Sequence, residues 1–159
     1  MKKTLFTAII LLPLLSACSE GNSSSATQTQ VQEIANEVSV NREVDMAKVA
    51  RGSRLYQMNC AECHGSVGQG APNWRERDAD GMFPPPPLNG TGHAWHHPKR
   101  MLHYVIANGS PGGQGKMPAW GDKLNDEEID AIIEWFISRW PDQVYAAWHQ
   151  MDRRRGQGG

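Results

Sequence analysis

Cys60-Ala61-Glu62-Cys63-His64 is the stretch on which the reading of this 159-residue chain turns. Two thiols three residues apart, with an imidazole directly after the second, have the spacing by which haem is joined to a polypeptide. Each sulfur adds to a vinyl group and the histidine binds the iron. A redox dithiol and half of a zinc site are the competing readings. The first wants a strand-then-helix context of βαβ type, which the residues around position 60 do not offer, and the second needs two more ligands at matching spacing. Cys60, Cys63 and His64 are therefore expected to carry one covalently bound haem c.

CAECH, the later Lys116-Met117-Pro118-Ala119-Trp120 and a closing amphipathic helix together resemble the small class I c-type cytochromes, over about residues 44 to 140. The resemblance implies an all-α fold, a small cytochrome c fold with helices packed around one haem. It also implies a Pro-x-Leu beside the axial histidine. Carried onto Pro84-Pro85-Pro86-Pro87-Leu88, this makes Pro86 the carbonyl that accepts from the Nδ1 proton of His64, with Leu88 packed on the haem ring. A rigid linker or a polyproline partner motif is the other reading of the four prolines.

Met117 is the expected second axial ligand, because a thioether is a soft donor and the glycine-rich run Asn108 to Gly115 delivers it past a close-lying group. A gap-filling methionine is the plain alternative, and Met82 is the rival ligand. Trp120 is expected to cover a haem edge or to close the loop.

The flanks have other roles. Residues 1–17 read as an export signal: Lys2 and Lys3, an apolar run from Leu5 to Leu15, then Leu15-Ser16-Ala17-Cys18. That tetrapeptide resembles the bacterial lipoprotein box, which implies lipidation of Cys18. An ordinary signal peptide with a small-residue cleavage site is the alternative. Residues 18–43 are rich in Ser, Asn, Gln and Thr and read as a flexible tether, with a transient helix possible across Val31, Ile34 and Val38. About 25 such residues reach on the order of 25–30 Å. Ser19 after the cysteine weakly favours the outer over the inner membrane, in either case on the periplasmic side.

Residues 44–140 form the expected cytochrome domain. A first helix from Val44 to about Asn59 has Gly52 and Tyr56 four residues apart, suited to a close crossing with a helix from Asp126 to Trp140, where Trp135 or Phe136 would meet them. Asn125 and Glu128 have capping-box spacing, and Pro141 ends the helix. A shorter helix is expected over about Pro98 to Ala107, with Trp95 near the haem edge. Residues 141–159 read as a helical extension, with Val144, Tyr145, Trp148 and Met151 on one face, followed from Arg153 by a basic disordered tail. The extension either folds back on the body or docks on another protein.

The formal charge is -1; 16 Lys and Arg less Lys2 and Lys3 leaves 14 against 17 acids past the signal, a balance unsuited to nucleic acid. With both axial positions filled no small-molecule substrate is expected, and no acid/base or nucleophilic set suggests an enzyme. The expected function is a lipid-anchored single-haem carrier moving electrons between redox proteins, a donor and an acceptor. The alternatives are a fixed haem subunit of a larger oxidase or dehydrogenase, or a haem protein that also handles copper through His93, His96, His97 and His103. A further reading is a haem with a replaceable ligand, as in a peroxidase or gas sensor.

Overall fold

The computed structural model describes residues 42–112 and 114–156. The export signal, Cys18, the tether up to residue 41 and the last three residues lie outside them. The described part is helical, with α1 (Met46–Asn59), α2 (Ala61–His64), a 3₁₀ turn (Ala94–His96), α3 (Lys99–Asn108), α4 (Asp126–Ser138) and α5 (Asp142–Gly156). An isolated parallel bridge pairs Phe83 with Gly115, and no strand forms among the described residues. None of the described helices is long and apolar enough to cross a membrane.

The core is built on the crossing of α1 and α4. Asp45 starts α1 by accepting from the backbone N–H of Ala47 and Lys48 at 2.9 and 3.0 Å. At α4, Asn125 accepts from the Glu128 N–H while Glu128 returns the bond to the Asn125 N–H, and Asp126, Glu127 and Glu128 complement the positive end of the helix. Ile129, Ile132, Ile133, Phe136 and Ile137 are then buried along one side. A Cβ on Gly52 would lie 1.9 Å from the Ala131 carbonyl oxygen, so only glycine lets the two backbones approach this closely. One turn later the Tyr56 ring meets Trp135 at 4.0 Å between centroids, which makes Trp135 the residue at the crossing.

Three helix ends differ from the sequence expectation. The first helix begins at Met46, because Asp45 is the capping residue. The fourth ends at Ser138, which frees the Trp140 side chain to turn back and donate from Nε1 to the Leu88 carbonyl at 2.7 Å. The fifth continues through Arg153, Arg154 and Arg155 to Gly156, where the basic run was expected to be unstructured. The basic side chains at its C-terminal end suit the negative end of the helix dipole.

Helix α5 folds back on the body. Trp148 is buried, donates from Nε1 to the His97 carbonyl at 3.0 Å and meets Trp140 edge-on at 5.6 Å. Asp152 reaches across and accepts from the Lys99 N–H at 2.7 Å, a cap for α3 that Pro98 has no side-chain group to provide. Arg42 ties the chain entry to the same corner. Its guanidinium donates to the Trp140 carbonyl at 2.8 Å, pairs with Asp142 at 3.0 Å and lies 4.2 Å above the Tyr145 ring.

Candidate haem-binding site

The CAECH motif follows directly on α1. Cys60 closes that helix, its N–H donating to the Tyr56 carbonyl, and α2 then brings Cys60, Cys63 and His64 onto one short turn. Tyr56, held at the α1–α4 crossing, donates its hydroxyl to the Gly65 carbonyl at 2.8 Å. The motif is thereby fixed to the rigid part of the fold.

His64 is the one buried polar or charged side chain among the described residues, at 7% exposure. Its Nδ1 lies 2.9 Å from the Pro86 carbonyl oxygen. An acceptor at Nδ1 selects the tautomer with the proton there, and Nε2 keeps the lone pair a metal requires. Burial holds the pKa below the ordinary imidazole value, with the bond to Pro86 opposing it, so the ring is neutral at physiological pH.

The position of Pro86 follows from a backbone ladder. Gly70 donates to the His64 carbonyl at 2.8 Å and Ala71 to the Pro85 carbonyl at 2.8 Å, while Leu88 and Asn89 donate to the Gly68 carbonyl at 2.7 and 3.1 Å. A Cβ on Gly70, where φ is +66°, would lie 2.4 Å from the Pro87 nitrogen. The proline run is thus a strut laid against the histidine. Leu88 is partly buried against the core, and its carbonyl accepts from Trp140.

The thiols fit covalent attachment better than dithiol redox chemistry. Both are free, Cys60 half-buried and Cys63 exposed. Burial, reinforced by Cys63, pushes the Cys60 thiol up to about 11. A redox dithiol needs a thiol shifted in the opposite direction. Among the described residues no three His, Cys, Asp or Glu side chains converge on a metal position, which leaves the zinc reading without ligands.

Met117 sits on the loop that follows α3. Its N–H donates to Ser110 Oγ at 3.2 Å, and its carbonyl accepts from the Ser110 N–H at 3.0 Å. Gly109, buried with φ +83°, passes so close beneath that a Cβ would lie 2.9 Å from the Met117 oxygen. Met117 packs against the core, as does Trp120, whose N–H donates to the Ile106 carbonyl at 3.0 Å and closes the loop onto α3. Met82 is tied into a different turn, its N–H donating to Asp78 Oδ1 at 2.9 Å.

The histidines do not gather. His93 and His97 meet edge-on at 5.6 Å, His93 also stacks on Trp74, and His96 stacks on Trp95 at 3.7 Å. His103 lies 3.5 Å from Asp126 at the start of α4. Trp95 donates to the Gly92 carbonyl at 3.0 Å and packs against the core. Sequence reasoning missed Ser110, although a hydroxyl seven residues before a candidate loop ligand, just past a helix-ending glycine, is a usable signal. It also missed Trp140 as a partner of the proline run, a pairing of residues far apart in sequence.

Comparison with known proteins agrees with this geometry. Residues 47–136 match the family described as cytochrome C oxidase, cbb3-type, subunit III. The chain is 33% identical over 114 residues to the cbb3-type cytochrome c oxidase subunit CcoP of Azospirillum sp. (strain B510), covering 70% of this chain and 36% of that protein. It is 28% identical to subunit FixP of Rhizobium meliloti (strain 1021), over 77% of this chain and 39% of that one. The chloroplastic cytochrome c6 of Chlamydomonas reinhardtii is 31% identical over 64% of this chain and 60% of its own. The chain thus spans less than two fifths of the length of these two oxidase subunits, and no solved structure matches it. It belongs to that cbb3-type subunit III family as a class I mono-haem c-type cytochrome, an electron-transfer protein whose single haem c is attached at Cys60 and Cys63 with His64 as the histidine of the motif.

Proposed function

We propose that this chain is a lipid-anchored, single-haem electron carrier on the periplasmic side of a bacterial membrane, with His64 and Met117 as its two axial ligands. The proposal is supported by two separate observations: a buried His64 oriented by Pro86, and a loop methionine whose backbone is fixed at both N–H and C=O by Ser110. The haem supplies a one-electron change at iron. The protein's own part is to hold two neutral ligands in place, His64 in the Nδ1-protonated tautomer and Met117 as the softer partner that raises the potential. Leu88 and the proline strut help to keep water from that side. With both axial positions taken, no place remains for a substrate, and the natural partners are a redox protein donor and acceptor.

The anchor is part of the proposal. Cys18 in Leu15-Ser16-Ala17-Cys18 would carry the acyl chains, residues 18–43 the tether and residues 44–140 the haem domain. Ser19 gives the outer membrane the preference. Cys18→Ala is expected to move the haem-staining band from the membrane to the soluble periplasmic fraction. A band that stays in the membrane would remove the lipid anchor from the proposal.

A second reading, a fixed haem subunit of an oxidase, is favoured by the likeness to CcoP and FixP, which are subunits of cbb3-type cytochrome c oxidases. The aromatic face of α5 gives it no support, since Trp148 is occupied within the fold. Mild detergent extraction separates the two readings. Recovery of the haem chain alone, reducible and reoxidisable by soluble redox proteins, fits the carrier. Stoichiometric recovery with an oxidase core would favour the subunit.

A further inference from the structure

Residues 78–83 form a tight turn organised by one carboxylate. Asp78 Oδ1 accepts from the Asp80 N–H at 3.0 Å and the Met82 N–H at 2.9 Å, and backbone bonds Asp78 N–H to Met82 O and Gly81 N–H to Asp78 O close the turn. The turn is joined to the glycine-rich loop by the Phe83 N–H, which donates to the Gln114 carbonyl at 3.0 Å. Lys116 then places its ammonium between two carboxylates, 2.9 Å from Asp78 Oδ2 and bonded to Asp80. Lys116 is the residue directly before Met117. At Gly112, within the same loop, a Cβ would meet nothing within 4 Å, so side-chain packing does not restrain that point.

We propose that the 78–83 turn is a charge latch for the methionine loop, with Lys116 as a positioning residue that holds Met117 in place through Asp80 and Asp78. The inference rests on Met117 being the sixth ligand. Ser110 fixes Met117 from the α3 side, and the latch fixes it from the other. Releasing one tether lets the loop swing about the remaining one. The plain alternative is an ordinary surface ion pair, since Lys116 and Asp80 side chains are 56% and 71% exposed. Exposed pairs have small effects that salt screens, which sets both the expected size and the means of telling the cases apart.

Asp80 is the residue to change, because its carboxylate has Lys116 as its one partner among the described residues, whereas Asp78 also holds the turn. The probe is imidazole titrated into the oxidised haem-loaded protein. It enters only when Met117 is off, so its apparent affinity scales with the open fraction. Asp80→Asn and Lys116→Gln are each expected to tighten imidazole binding about two- to fivefold at low ionic strength. The difference should close at about 0.5–1 M salt, where the Debye length falls to a few ångströms. Affinities equal to wild type at low salt, or a gain that persists at high salt, would overturn the latch. A wild type without the sulfur-to-iron charge-transfer band overturns the ligand assignment and the latch with it. A wild type that has the band, with unaltered variants, removes the latch alone.

Discussion

The CAECH side and the Met117 loop proposed to face it are held in different ways. The His64 side grows out of the helical core: Tyr56 at the α1–α4 crossing bonds to Gly65, the proline strut is tied through Pro85 to Ala71 and through Leu88 and Asn89 to Gly68, and the ligand is buried. The Met117 side is a glycine-rich loop fastened at separate points by Ser110, the 78–83 turn and Trp120. Rigid support suits a ligand that never leaves. A loop on discrete fastenings would fix the proposed Met117 ligand while leaving its strength adjustable one contact at a time.

The largest expected difference comes from two glycines. Gly52→Ala forces a Cβ into the Ala131 backbone at 1.9 Å, which neither helix can relieve by moving a side chain. A loss of about 3 kcal/mol or more is expected, read as a lower denaturation midpoint of the haem-loaded protein. Gly112→Ala sits in open space with φ +43°, so the left-handed backbone alone is strained, costing about 1–2 kcal/mol. Equal effects at the two positions would remove the contrast between the sides.

Met117→Ala comes next. Covalent haem should remain, since Cys60, Cys63 and His64 are on the other side, while the reduced protein should gain carbon monoxide binding and the potential should fall. Ser110→Ala removes the acceptor for the Met117 N–H, one hydrogen bond of about 1 kcal/mol, and should open the loop to imidazole about fivefold. A larger effect on global unfolding than on imidazole binding would place Ser110 in the core's support and not the loop's.

The smallest expected effect is a pH dependence away from the ligands. Burial first, then neighbouring cationic groups, hold His93 and His97 below the ordinary imidazole range. In the unfolded chain both rings take up protons near about 6.5, before the folded protein does. Stability is therefore unaffected above that pH and falls as the pH drops below it. Thermal melts at pH 7.5 and 5.5 check this, and the difference should shrink in a His93→Asn, His97→Asn variant.

The parts legible in the sequence were those encoded locally. CAECH, the Asn125–Glu128 capping pair and the Gly52–Tyr56 spacing each lie within one helical turn or two, and the structure shows the capping box and the close crossing in place. What was hidden depends on residues brought together from afar. Asp152 capping α3, Trp140 bonding the Leu88 carbonyl and Lys116 reaching Asp78 each join side chains to groups more than 30 positions away, and no periodicity records such pairings. The four histidines show that nearness in sequence need not mean convergence: His93 and His97 meet, while His96 stacks on Trp95 and His103 lies beside Asp126. Helix α5 was legible as amphipathic but not in its target, because an aromatic face reads the same whether it meets its own body or a partner.

The most direct test is a near-infrared spectrum of the oxidised, haem-loaded wild type, recorded beside Met117→Ala and Met82→Ala. A sulfur-to-iron band present in wild type and Met82→Ala but lost in Met117→Ala is the expected result. A band that is missing from wild type, or that survives in Met117→Ala, would contradict the pairing of His64 with Met117.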